Sequence, residues 1–331
     1  MKNTVLFALT IILLSACAQK VKVRSLEPAE IDRAASTKKI SVAMFNNDRV
    51  GLSSKIELSL ASQKIDDKNY FTVVSRRDFE KIIKEQKIQN SGLVETSTVV
   101  EAGRIIGAEA IISGDVSNVL LKDSSYSENR TKCADKKCKE SIKYSVNCLK
   151  REVSLSAELK MVDVEKGDII YADTLSKSKE WRHCSDDSKT LPSRAVAAQE
   201  LASSIANSFT YKMTPHYSYF KVALLEDGDL DYTDEQEKLL ELSLAYIEQG
   251  RYDKAQRFLV ELIDSTDQQS YVAFYNLGVV KEAQGKYNEA KSYYKKADYL
   301  MGEPVEEISL ASLRIDRLIH KHNKTKEQLQ R

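Results

Sequence analysis

Apolar residues are spaced in two ways along this chain, and the change of spacing divides it. From Lys39 to Phe45 they alternate with polar residues, as in a strand, and Leu52, Ile56 and Leu60 then recur every fourth residue, as on one face of a helix. Phe71 to Val74 is a short β-branched and aromatic run, again a strand. Ser75 stands where its oxygen would accept a first-turn N–H of a helix whose apolar face is Phe79, Ile82 and Ile83. Thr98 and Glu101 have capping-box spacing for a second helix, with Val99, Val100, Gly103 and Ile106 along one side and Gly107 as its end. Ala108 to Ser113, apolar but for Glu109, reads as a strand covered on both faces. Strands joined by helical crossovers run parallel.

Between residues 117 and 147 the pattern lapses into Lys, Asp, Ser and Glu, which reads as an insertion or loop excursion. Alternation returns at Val153, Leu155, Ala157, Leu159 and Met161, turns at Glu165-Lys166-Gly167, and continues through Ile169, Tyr171 and Leu175. Ala198, Ala202, Ile205 and Phe209 mark a closing helix capped near Ser193 and broken at Thr214-Pro215. The expectation is an α/β domain with a mixed sheet over residues 38–212. A linker over 213–237 follows, with one more strand at Tyr219 to Leu225 and an acidic part from Glu226 to Glu237.

Beyond the linker the spacing is helical throughout. Gly250-x-Tyr252-x-x-Ala255 recurs as Gly285-x-Tyr287-x-x-Ala290, an internal repeat that resembles tetratricopeptide helix pairs. This predicts an all-α repeat domain over 238–322. Phe274, Leu277, Gly278, Ala290, Tyr294 and Ala297 take the packing positions of the second copy; in the first, Ser243 replaces the small residue. In this register the groove-facing positions for a protein partner include Leu240, Leu244, Tyr275, Val279 and Glu282. Two repeats fall short of the three or so that stack alone, so Glu306 to His320 is expected to cap the array or lend it a face; dimerisation would do the same.

The N-terminus changes the setting. Met1-Lys2-Asn3 and the apolar run Val5 to Leu14 form a signal peptide, residues 1–16, too short to span a bilayer. Leu14-Ser15-Ala16-Cys17 resembles a bacterial lipobox, which makes Cys17 the acylated first residue of the mature chain and Ala18 an outer-membrane sorting residue. Residues 17–37 then read as a polar tether. Export to an oxidising compartment gives the four further cysteines a disulfide role, with three pairings allowed. If the hairpin turns about Lys166, residues i and 332 − i face each other; Cys148 then opposes Cys184 and leaves Cys133 to Cys138. Zinc is the rival use of these cysteines, but there is no Cys-x-x-Cys and the nearest imidazole is His183.

Three stretches carry a further resemblance: Val73-Val-Ser-Arg-Arg-Asp-Phe79, Gly107-Ala-Glu-Ala-Ile-Ile-Ser-Gly114 and Ile40-Ser-Val-Ala-Met-Phe-Asn-Asn47. They resemble the curli secretion channel lipoprotein family (CsgG type), which also includes activators of peptidoglycan synthases and flagellar envelope proteins. Leu159 to Ile170 extends the likeness. The resemblance implies a scaffold more firmly than a task. Composition adds exclusions: 50 basic against 49 acidic residues leave a net charge of +1, no case for nucleic acid or an anionic lipid surface. No phosphate loop, nucleophile elbow or His-Glu-x-x-His occurs, and neither cofactor nor metal is called for.

These readings converge on a non-enzymatic lipoprotein at the periplasmic face of the outer membrane, an assembly or regulatory factor acting on envelope proteins and able to self-associate. The alternative is an oligomeric curli-type export channel. Against a channel, charges occupy both strand parities between Val116 and Val146, Lys122, Glu128, Arg130 and Lys132 on one and Asp123, Asp135, Lys137 and Lys139 on the other. Neither face is clean enough for lipid.

Overall fold

The computed structural model describes residues 19–74, 100 and 103–330. The helices expected from Ser75 onward lie largely outside that range; residues 103–106 are helical. Two compact units emerge, one of 28–216 with 325–330, the other of 217–324 with 19–27. Strand β1 (Lys20–Glu27) belongs to the second.

In the first unit α1 (Asp32–Ser36) precedes β2 (Lys39–Val42), and α2 (Leu52–Ala61) crosses over, through the small hairpin β3 (Lys64–Ile65) and β4 (Lys68–Asn69), to β5 (Thr72–Val74). Strand β6 (Ala110–Val116) completes a parallel trio in the order β5-β2-β6. The antiparallel part is built on β8 (Ser141–Asp163), with β6 and then β7 (Leu120–Cys133) along one side and β9 (Ile169–Cys184) along the other. The pairing of β8 with β9 has residues summing to 332 from Cys148 to Met161, and slips by one only at the Met161/Val162 bulge.

Helix α3 (Arg194–Met213) starts where Ser193 Oγ accepts the Val196 N–H. It buries Leu201, Ile205 and Phe209, while Leu155, Leu159 and Met161 are buried on β8. Each such side chain contributes about 1.5–3 kcal/mol. Ile111, Ala43, Ala108 and Val164 form a separate cluster joined by Ile106. A Cβ on Gly103 would sit 2.6 Å from Val164 and 2.8 Å from Ile111, so only glycine lets that helical turn approach.

The expected excursion at 117–147 is instead strand. β7 continues the line of β6 after a break at 117–119 and pairs with β8 from Leu120↔Ser154 to Cys133↔Ser141. Apolar alternation failed as a guide because this arm buries so little: Val146, Cys148 and Cys184, flanked by Tyr126 and Tyr144. Strand β8 changes its buried parity between Cys148 and Val153, so the arm's small core lies on the opposite face to the core at its root.

The second unit contains α4 (Asp234–Glu248), α5 (Tyr252–Ser265), α6 (Tyr271–Ala283), α7 (Tyr287–Leu300) and α8 (Glu306–Gln330), the last reaching into residues counted with the first unit. The repeated motif has a local cause. Gly250 and Gly285 end their helices at φ +70° and +75°, and Ala255 and Ala290 are fully buried where the helix pairs touch. A Cβ on Gly278 would meet the Tyr294 ring at 2.5 Å, which fixes glycine there. Ser243, its counterpart, is buried with its hydroxyl on Leu240 O.

One expectation about connecting segments is corrected: the tether contains β1. The strand expected in the linker is present as β10 (His216–Ala223), which pairs with β1. Leu224 N–H donates to Gln19 O at one end and Ser218 Oγ to Glu27 at the other, so the ribbon is antiparallel. Downstream, Asp229 accepts from the Tyr271 N–H, Ser270 Oγ and Tyr232 OH at the start of α6. The acidic segment is therefore held by a helix N-terminus rather than free.

Candidate functional site

The groove positions expected to meet a partner are occupied by the chain itself. Leu240, Leu244, Tyr275, Val279 and Glu282 are all buried, the last two completely. The first four share one core with Val21 and Val23 of β1 and Val222 and Leu224 beside them. Tyr275 OH donates to Ala223 O at 2.8 Å, and the Asn276 amide bonds both polar atoms of the Leu225 backbone. Hydrogen bonds to a backbone segment are what a peptide-binding groove offers, and here the ribbon takes them. Where a partner was expected, the occupant is a segment of the same chain, far away in sequence.

Helix α8 covers the remainder. Ile308, Ala311 and Ile315 are buried in the same core, and Arg314 reaches Glu282 through Nε at 2.8 Å and Nη2 at 3.0 Å. Tyr294 OH donates to the same carboxylate. Burial opposes the Arg314 charge, but hydrogen bonding to Glu282 outweighs it and raises its pKa. Burial also raises the Tyr275 and Tyr294 hydroxyls, so both remain donors.

What the fold leaves open is the arm. Among the described residues β7 and β9 each pair with β8 alone, which gives each an unpaired edge. Charge fastens its parts: Arg151 binds Asp123 through Nε and Nη2 at 2.7 and 2.9 Å, with Arg194 at 3.0 Å from the same carboxylate. The Arg151 hydrogen bond, with those of Arg194, holds Asp123 near 2. Arg130 clamps Asp186 and Asp187 at 2.6 and 2.9 Å, and Tyr144 OH donates to Asp186, so the segment after β9 folds onto the arm's small core.

Two disulfides complete it. Cys148 is bonded to Cys184, its direct register partner, and Cys133 to Cys138 at the tip. Glu128 lies near the Cys148–Cys184 bridge, but both sulfurs are engaged in it and are not thiolate ligands. Asp135 accepts the N–H groups of Lys137 and Lys139 inside the tip loop. Cys17 lies outside the described residues. Among the described residues no helix is long and apolar enough to cross a membrane.

Sequence reasoning passed over the ribbon's outward face. Lys20, Lys22 and Arg24 alternate with buried Val21, Val23 and Ser25, a strand pattern present in the sequence but short and rich in charge.

Distant structural similarities are to the LpoB C-terminal domain from Salmonella enterica (11% identity, 44% of this chain, 94% of that one, TM-score 0.26). A second is lipoprotein GNA1162 from Neisseria meningitidis (16% identity, 52% and 97%, TM-score 0.26), and a third the PelC dodecamer from Paraburkholderia phytofirmans (13% identity, 60% and 99%, TM-score 0.26). No curated protein sequence matches the chain. Family models are more specific: residues 29–186 match the curli production assembly/transport component CsgG, and residues 271–300 match a tetratricopeptide repeat. Neither is an enzyme family. The chain therefore carries a CsgG-type domain over residues 29–186, followed by a tetratricopeptide repeat.

Proposed function

We propose that this protein is a non-enzymatic lipoprotein, acylated at Cys17 and held at the periplasmic face of the outer membrane, that serves an envelope assembly as an interaction or regulatory factor. One observation carries the reading: a CsgG-type domain and a tetratricopeptide repeat are joined on one chain. Because the ribbon and α8 fill the groove, the partner surface is assigned to the arm, whose open edges could each accept an added strand. Such an edge also admits a second copy of the chain.

An export channel is the second reading, favoured by the family name and by strands of 14, 23 and 16 residues, longer than the 9–11 or so a spanning strand needs. Against it, a Lys or Arg facing the bilayer midplane costs about 2–4 kcal/mol, and β7 carries Lys122, Arg130 and Lys132 beside Asp123 and Glu128. Two measurements test the proposal. Replacing Cys17 by Ala should move the protein from the outer-membrane fraction into the soluble periplasm; unchanged membrane association would remove the anchor from the account. The purified mature protein should give no stepwise conductance in planar bilayers, whereas a ring-shaped oligomer with discrete channels decides for export.

A further inference from the structure

The ribbon that fills the groove has a second face. Lys20, Lys22 and Arg24 on β1 and Tyr219 and Lys221 on β10 are exposed on it, beside the half-buried Tyr217. The cations are arranged over the rings: Lys22 Nζ lies 4.3 Å from the Tyr219 centroid and the Arg24 guanidinium 4.4 Å from that of Tyr217. The acids Glu27 and Glu226 at the ribbon's ends have partners of their own. Glu27 is bound by Lys321 at 2.7 Å and by Ser218, and Glu226 accepts the Gln19 N–H at the ribbon's end. A net charge of +1 conceals this concentration, because the cations are gathered only when two distant segments pair.

We infer that this face rests on a layer of anionic phospholipid headgroups, with the cations against lipid phosphates and Tyr219 at headgroup level. Lys20 follows Cys17 by three residues, a reach of about 10 Å when fully extended. The inference rests on the proposed acylation of Cys17 for its position at the bilayer. Given that anchor, the ribbon meets lipid before it can meet a distant acidic protein. Cations next to an acyl anchor add a second, salt-sensitive attraction, and tyrosine favours the boundary between polar and apolar zones. The acyl chains hold the protein, and the ribbon sets which side of the helical unit faces the membrane.

The test uses the unacylated protein beginning at Ala18, which keeps every described residue, with vesicles of phosphatidylcholine alone or mixed with phosphatidylglycerol. Partitioning should favour the anionic vesicles and fall steeply as salt rises. Each cation near the surface is worth roughly fivefold, so the triple variant Lys20→Gln, Lys22→Gln, Lys221→Gln should lose roughly a hundredfold at low salt. Those side chains point to solvent, and circular dichroism confirms that the variant is folded. As a milder probe, Tyr219→Ser should weaken partitioning and leave its salt dependence unchanged. Equal partitioning onto neutral and anionic vesicles, an unaffected triple variant, or binding to peptidoglycan sacculi in place of vesicles would each overturn the inference. Fatty-acid labelling in cells reads acylation of Cys17 separately, so failure of the anchor is distinguishable from failure of the face.

Discussion

Replacing Arg314 by methionine isolates the contact that fixes the last helix over the repeat groove. Glu282 is fully buried, Arg314 is 21% exposed at its side chain, and two charge-assisted hydrogen bonds at 2.8 and 3.0 Å join them. Methionine approximates the aliphatic stem and removes the charge, leaving a carboxylate that cannot reach water. Breaking a buried pair from one side costs about 3–5 kcal/mol; Tyr294 OH still donates to Glu282, which favours the lower end, about 3 kcal/mol. At a urea slope of about 2 kcal/mol/M this lowers the helical transition by roughly 1.5 M. Far-UV circular dichroism follows that transition, while Trp181, the single tryptophan, reports the α/β unit by fluorescence. Adding Glu282→Gln keeps an acceptor for Tyr294 without the charge, so the double variant should regain about 2 kcal/mol. A single variant within about 1 kcal/mol of the parent, or a double variant no more stable than the single, refutes the reasoning.

Two further outcomes follow from the arm. The Cys148–Cys184 bridge spans 36 positions and Cys133–Cys138 spans 5, which the chain-entropy relation converts to about 4 and about 2 kcal/mol. Cys148→Ala with Cys184→Ala should therefore lower the Trp181 transition about twice as far as the tip pair, and the reverse order would contradict the assignment. The second concerns acid. Arg151 and Arg194 hold Asp123 near 2, below the usual 3.8, so its contribution is complete above about pH 4 and is lost as pH falls toward 2. Urea midpoints of the parent and of Asp123→Asn should differ at neutral pH and converge near pH 2; a gap that persists at the acid end excludes this cause.

The parts of the fold that were legible from sequence are those whose signal is local. The glycines at 250 and 285, the alanines at 255 and 290, and the alternation from Val153 to Met161 each reflect a neighbour within a turn or across one hairpin. The hairpin turn also placed Cys148 opposite Cys184, because register is simple arithmetic once the turn is known. The arm was illegible because its strands are stabilised by ladder hydrogen bonds, ion pairs and disulfides, none of which leaves an apolar period. β1 was illegible for another reason. Its two valines among Lys and Arg look like a solvated segment until β10 supplies a partner and the helices a floor. The residues expected to meet a partner are buried against distant segments of their own chain, a pairing that local spacing does not encode.

The pairing of β1 with β10 also sets an order of events. Glu27 and Ser218 are hydrogen-bonded 191 positions apart, so the helical unit is a discontinuous domain with residues 28–216 of the α/β unit inserted between its first strand and its second. A chain that emerges from its N-terminus presents β1 first, yet Val21 and Val23 find no cover until β10 and the helices have followed. Domains completed earlier fold earlier, and closing a long loop costs entropy that only late contacts repay. The first strand to appear is thus the last to be placed. During that interval any extended segment that can add to residues 20–27 competes with β10 for them.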